Sequence, residues 1–344
     1  MFIEMRILFI KPKQIGDSLI LTPTLAATRL LFPDAEIWVL IRKGCEGILA
    51  GCPAIDRILT LAPVERRERG KSQWRNDLAT LRKLRSEVFD YVFELGDGHR
   101  GRWFSALCRR KKCYTVKPDT GLNILWRNLF TAVSVLDWSR LHRVEKDYLT
   151  VREFLPLPES IPPLQFERSK TESWEPAQAL ADFAVIHIGT RQKWNKWERE
   201  SWLKVAEHLL GKLPKVIISC GPDPRELAVA AWLQEKLGDR ILCTLGETSW
   251  AQLAGLLYRA RLLVCPNTAA MHLAAACQCP TVTVFGPSSE VHWQPWQSPH
   301  RIVTSRHWRT GIDDPNDNSA LLTRKMGDID VQEVLKACDE LMTK

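Results

Sequence analysis

Four short apolar runs in the second half of the chain constrain its fold most: FAVIHI from Phe183, KVIISC from Lys215, LLVC from Leu262 and TVTVF from Thr281. Each is nearly continuous in Val, Ile, Leu or Phe, and each ends on a turn-forming segment that leads into a helical stretch. A strand lacking polar alternation is buried on both faces, which is the situation of a parallel sheet covered by helices. The helices between the runs are expected at Glu200–Gly211, Pro224–Leu237, Trp250–Ala260 and Met271–Cys277, with a short strand near Ile241. The first half carries the same alternation more faintly. Strands are expected at Met5–Ile10, Glu36–Ile41 and Phe89–Leu95, one helix at Asp17–Phe32, a polar helix at Ser72–Ser86, and further helices through about Phe154. Alternating strands and helices imply doubly wound α/β sheets.

Between the halves lies PLPESIPP, residues 156–163, with four prolines that fit neither a helix nor a central strand. It divides the 344 residues into an N-terminal Rossmann-like domain, 1–160, and a C-terminal one, 161–344. Two such domains in tandem are expected to form a cleft, with ligands at the carboxyl ends of the strands. A last amphipathic helix, Val331–Met342, can pack on either domain.

Charge is unevenly divided. The 48 Lys/Arg and 40 Asp/Glu give a net +8, and all of the excess lies before residue 160. That half should attract an anionic partner: nucleic acid, an acidic membrane surface or a phosphorylated substrate. No zinc-finger spacing, RNP motif or helix-turn-helix signal supports nucleic acid. The start, closed by Lys11-Pro12-Lys13, does not read as a signal peptide, and no apolar stretch is long enough to span a bilayer. A cytoplasmic protein, at most peripheral on the inner membrane, is expected. The ten cysteines are scattered through apolar runs without a CxxC pair and read as buried, reduced thiols.

Four loops at strand ends hold the candidate chemistry. In KPKQIGDSLILTP, Gly16 suits a tight turn and Asp17 opens a helix, where the helix dipole favours an ionised carboxylate; the same residue would serve as a simple N-cap. HIGTRQKWNKW supplies Gly189, Thr190, Lys193 and Lys196, a set suited to a pyrophosphate. CGPDPRE supplies Glu226, a candidate partner for ribose hydroxyls, although Gly-Pro-Asp-Pro is also ordinary turn chemistry. CPNTAAMHLAAACQCPTVTVFGPSS delivers Asn267, Thr268 and Ala269 to a helix N-terminus, where free N–H groups favour phosphate, with His272 one turn further on.

IGDSLILTP resembles the N-terminal GD motif of glycosyltransferase family 9, the lipopolysaccharide heptosyltransferases. NTAAMHLAAA followed by PTVTVFGPS resembles the D-[ST]-[GA]-x-x-H-x-x-A-A signature of the same family. The resemblance follows the order and spacing of nearly the whole chain, and implies a GT-B architecture of two Rossmann-like domains. It also implies an inverting transfer from an ADP-heptose donor, held mainly by the C-terminal domain, to the lipopolysaccharide core. In that scheme Asp17 is the general base, Thr190 and a lysine contact the diphosphate, and Glu226 lies near the donor ribose. Two positions depart from the pattern. Asn195 stands where the family has the lysine of K-x-W, leaving Lys193 and Lys196 as candidates, Lys196 preferred. Asn267 stands where the family has an Asp contacting the sugar, and an amide cannot be an acceptor-only carboxylate. The donor sugar is therefore open.

A diphosphate leaving group can be stabilised by helix N-termini and a lysine, so no metal and no further cofactor is expected. Asp328-x-Asp330 superficially matches a DxD metal motif, but precedes the last helix, where Asp330 reads as an N-cap. Two basic clusters, Arg66, Arg67, Arg69 and Lys71, and Arg109, Arg110, Lys111 and Lys112, are candidates to bind an anionic acceptor or lipid, or are solvated helix faces. With Gly16, the second cluster forms the expected acceptor site. A non-catalytic sugar-binding relative is the competing class. Residues 307–325 carry no recognisable motif.

Overall fold

The computed structural model describes residues 5–63, 73–118, 121–305 and 323–343, which fall into two compact units, 1–165 and 166–344. The first is built on a six-stranded sheet of β1 (Arg6–Lys11), β2 (Glu36–Arg42), β3 (Arg57–Leu61), β4 (Val88–Glu94), β5 (Arg109–Thr115) and β6 (Ala132–Val133). The order is β3-β2-β1-β4-β5-β6 and every pair is parallel. Phe9, Ile10, Leu40 and Val92 are wholly buried, as strands covered on both faces require. Around the sheet lie α1 (Ile15–Ile20), α2 (Thr22–Leu31), α3 (Glu46–Leu49), α4 (Gln73–Ser86), α5 (His99–Leu107), α6 (Ile124–Arg127) and α7 (Arg143–Arg152).

The second unit repeats the plan with β7 (Phe183–His187), β8 (Lys215–Ser219), β9 (Ile241–Cys243), β10 (Leu263–Pro266), β11 (Thr281–Phe285) and β12 (His300–Thr304). Its order, β12-β11-β10-β7-β8-β9, is the same winding, again all parallel. Its helices are α8 (Arg199–Leu210), α9 (Pro224–Leu237), α10 (Trp250–Leu257), α11 (Ala269–Ala276), α12 (Glu290–Trp293) and α13 (Val331–Met342). The last of these packs on α8, β11 and β12 through Val334, Ala337, Cys338 and Leu341, so its apolar face completes the second unit's core. Asp330 caps it, accepting the Gln332 N–H at 3.0 Å. Among the described residues no helix is long and apolar enough to cross a membrane.

Two expectations are corrected. The single helix over Asp17–Phe32 is two, parted at Leu21, because Pro23 in the first turn of α2 has no N–H to continue the ladder from α1. The stretch read as helices through Phe154 contains β5 and β6. The run RRKKCYT hides β5 because only its second half, Cys113–Thr115, is buried. Strands β3 and β12 escaped for a related reason: each is short and interrupted by a polar or charged residue.

Candidate active site

In each sheet the chain reverses its winding between two adjacent strands, β1 and β4 in one, β7 and β10 in the other. The connections leave such a pair in opposite directions and open a crevice at its carboxyl ends. The candidate residues are best described crevice by crevice.

In the first unit, the loop after β1 and the loop after β4 are fastened together: Lys13 Nζ meets Asp97 Oδ1 at 2.6 Å, and Lys146 Nζ of α7 meets Asp97 Oδ2 at 2.7 Å. Beneath them Lys11 is ion-paired with Asp147, both almost fully buried. Trp138 stacks under the cations, 4.0 Å from Lys146 Nζ and 4.6 Å from the Arg143 guanidinium. Asp17 stands beside this network, half-buried at the third position of α1, where Oδ2 accepts the Gln14 N–H at 3.2 Å. Gly16 lies inside the same helical turn rather than in a separate tight turn. Burial pulls the Lys13 pKa down, but Asp97, with a further contribution from Asp17, outweighs it and holds the ammonium above its ordinary range. For Asp97 burial works in the opposite sense, and Lys146 and Lys13 outweigh it to keep the carboxylate below its ordinary range. Lys146 is the member that burial pulls down. At the floor of the crevice Glu94 is completely buried; burial raises its pKa to about 7 despite the Thr115 hydroxyl that donates to it at 2.8 Å. Gly101 packs directly on this carboxylate, where a Cβ would collide with Glu94 Oε1.

In the second unit, Glu226 near the start of α9 reaches back under two loops. Its Oε1 accepts the Thr190 N–H at 3.0 Å and its Oε2 accepts the Gly221 N–H at 2.8 Å. Gly189 is held close above it: a Cβ would lie 2.7 Å from Glu226 Oε2 and 3.0 Å from His187 Nε2. His187 Nδ1 lies 3.0 Å from the Ser219 hydroxyl, and burial lowers its pKa to about 4, so the ring is neutral. Across the crevice Asn267 and Thr268 are half-buried, and Thr268 caps α11 without a side-chain hydrogen bond to the helix. Ala269 and Ala270 open the helix, so its first two positions carry only methyl side chains. His272 is buried within it, its ring centroid 6.2 Å from that of Trp293. The two sides are tied by Asn195, whose Nδ2 donates to the main-chain oxygen of Asn267 at 3.4 Å. The two positions that depart from the family pattern are thus neighbours. Lys196 is half-buried, 3.8 Å from Asp223 Oδ1, whereas Lys193 is exposed.

The basic run Arg109, Arg110, Lys111 and Lys112 does not join either crevice. It forms the first half of β5, with Arg109 level with Val88 and only Thr115 level with Glu94. In a parallel sheet this places Arg109 at the amino end, roughly 20 Å along the strand from the level of Thr115, and Lys112 roughly 10 Å from it, at about 3.3 Å per residue. The quartet is thus strand rather than helix face, and set apart from Gly16 along the sheet. The other cluster, Arg66, Arg67, Arg69 and Lys71, lies outside the described residues, as does most of 307–325. All ten cysteines are free, and nine are buried. The residues that sequence reasoning missed are Asp97, Lys146, Asp147, Arg143 and Trp138. Only Asp97 had a signal, the Gly-Asp-Gly that directly follows a buried strand.

The sequence profile of glycosyltransferase family 9 (heptosyltransferase) matches residues 78–317. The chain belongs to glycosyltransferase family 9. Among curated relatives, lipopolysaccharide heptosyltransferase 3 of Escherichia coli K12 is 25% identical, with 82% of this chain and 82% of the relative aligned. Among solved structures, a family 9 glycosyltransferase from Veillonella parvula has a TM-score of 0.79 at 18% identity, covering 100% of this chain and 99% of its own. The E. coli heptosyltransferase WaaC with ADP has a TM-score of 0.77 at 17% identity, covering 98% of this chain and 100% of its own. The two parallel sheets of this family 9 chain have the GT-B fold of those structures.

Proposed function

We propose that this family 9 glycosyltransferase moves a heptose, or a closely related sugar, from an ADP-sugar to the inner core of lipopolysaccharide on the cytoplasmic side of the inner membrane. The observation that carries the donor half is the second unit's crevice. Gly189 and Thr190, held by Glu226, present small side chains, and the start of α11 at Thr268 and Ala269 presents a helix N-terminus, at one switch point. Such a place favours a diphosphate. The solved relative WaaC carries ADP, which supports adenosine as the nucleoside.

In the reaction so proposed, the Asp17 carboxylate takes the proton of an acceptor hydroxyl as that oxygen attacks the anomeric carbon. The bond to the diphosphate oxygen breaks on the opposite face, and ADP leaves with the electron pair, inverting the centre. Helix N–H groups and Lys196 neutralise the departing charge, so the step runs without a metal ion. Asn195 and Asn267 favour a second reading of the donor. Two neutral amides recognise sugar hydroxyls by donating and accepting, and Asn195 Oδ1 is buried without a hydrogen-bond partner among the described residues. A donor sugar other than the common heptose would satisfy it.

The test is product formation on a truncated, heptose-deficient core acceptor with a panel of ADP-, UDP- and GDP-sugars, with and without EDTA. Turnover with ADP-heptose alone supports the first reading and turnover with another ADP-hexose the second. Transfer from UDP- or GDP-sugars only, or activity that disappears with EDTA and returns with manganese, would overturn the proposal.

A further inference from the structure

The positive charge of the first half is concentrated in one stretch. From Gly98 to Leu136 the sequence holds eight Lys/Arg and one acidic residue, Asp119, against a net +8 for the whole chain. The same stretch exposes apolar surface. On α5, His99, Trp103 and Leu107 recur every four residues and share one outward face. Trp126 of α6 packs edge-on against Trp103, centroids 5.0 Å apart, and against His99 at 6.1 Å. Ile124 and Leu125 of α6 are 73% and 75% exposed, and Trp103 is 54% exposed. Directly after α6, Asn128, Leu129 and Phe130 line a depression of about 600 Å³ together with Val88, Arg109 and Lys111 of the basic start of β5. Arg110 there donates to the Leu129 carbonyl at 2.8 Å.

A single exposed leucine is ordinary, whereas aromatic and aliphatic side chains clustered beside cations mark a contact surface. The charge sign selects an anionic partner. Base stacking accounts for the tryptophans alone, because Ile124 and Leu125 offer neither a ring nor a hydrogen bond. Exposed tryptophan, isoleucine and leucine beside arginines and lysines are the side-chain types that a bilayer interface accommodates. We propose that α5, α6 and the start of β5 dock on the anionic face of a lipid bilayer. Trp103, Ile124, Leu125 and Trp126 enter the headgroup boundary, and Arg109, Lys112 and Arg127 meet lipid phosphates. The inference goes beyond the sugar-transfer reading and survives its failure, since the surface includes none of the residues proposed for donor binding or proton transfer.

The experiment is co-sedimentation of the full chain with vesicles of phosphatidylcholine, alone or mixed with phosphatidylglycerol, at low and high salt. Preferential binding to the mixed vesicles, weakened by salt, is expected. Ile124→Ser/Leu125→Ser should lower partitioning at least about tenfold by removing the inserted side chains. Arg109→Glu/Arg127→Glu should lower it by roughly 25-fold or more, taking about fivefold per lost basic residue. Unchanged far-ultraviolet circular dichroism and melting temperature certify the folding of these exposed-site variants, and single Ile124→Ser replaces the pair if it melts early. Transfer to a detergent-dispersed acceptor should be untouched in Ile124→Ser/Leu125→Ser. Equal binding to neutral and mixed vesicles, or no loss in either variant, overturns the proposal. So does a finding that the face serves another partner: single-stranded oligonucleotide binding abolished by the same variants, or a dimer that Ile124→Ser/Leu125→Ser dissociates.

Discussion

Glu226 accepts the main-chain N–H of Thr190 at 3.0 Å, and through its other oxygen it also holds Gly221, so one carboxylate fastens two loops of the second unit together. Glu226→Gln keeps the shape but replaces one acceptor oxygen by a donor facing an N–H. A charge-assisted hydrogen bond contributes about 1.5–3 kcal/mol, so a ten- to hundredfold loss in donor affinity is expected, with kcat changing less. Isothermal titration with ADP checks this. Unaltered ADP affinity would show that the loops keep their places without the carboxylate.

Asp17 is expected to govern turnover and not donor capture. Replacing a general base typically costs about 10²–10⁴ in rate, so Asp17→Asn should lower kcat by that order and leave the Kd for ADP within a factor of two or so. The variant should also melt close to the parent, because the N–H that Asp17 accepts is exposed. Near-parental turnover would remove the base from Asp17.

The buried pair of Lys11 and Asp147 gives a stability prediction with two arms. Asp147→Ala leaves an ammonium buried without its partner and should cost about 3–5 kcal/mol, seen as a lower urea midpoint. Lys11→Met/Asp147→Leu removes both charges together and should recover most of that loss. A double variant as unstable as the single one would show that the pair is needed for its contacts with the rest of the crevice.

The two units should respond to pH with opposite sign. Glu94 has its pKa raised by burial from the usual 4.5 to about 7, so the folded state holds a proton that the unfolded chain has released. Its contribution is complete below about 4.5 and is lost as pH rises towards 7. His187 is lowered by burial from 6.5 to about 4, so the unfolded chain binds the proton first; its contribution is complete above about 6.5 and is lost as pH falls towards 4. In melting curves across this range, Glu94→Gln should flatten the decline on the alkaline side and His187→Asn the decline on the acid side. Identical pH profiles for parent and variants would rule out both assignments.

The second unit was far more legible in the sequence than the first. Helix Pro224–Leu237, strand Thr281–Phe285 and helix Val331–Met342 are legible to their observed boundaries, because the helices are amphipathic and capped by Asp223 and Asp330 and the strand is a buried run that follows a proline. Strand β5 was lost because an edge-side strand with half its residues in water has no period to detect. The candidate site divides similarly. Thr190, Asn267 and Thr268 fall directly after buried strands and can be found from the loop alone. Lys146 and Asp147 act on the first crevice from a helix more than a hundred residues downstream of Lys13, and no local pattern announces such a contact. The quartet at Arg109 shows the converse: a conspicuous run of one charge carries no register, and it is the pairing of a parallel strand that sets Arg109 towards the amino end of the sheet.

One winding, used twice, is latched differently each time. Salt and proton concentration act on the latch of Lys13, Asp97 and Lys146, which is ionic, and barely touch that of Asn195 and Asn267, which is neutral. Raising ionic strength should therefore act on the first latch more than on the second, and most at its outer pair, since Lys13 is more exposed than the buried Lys146.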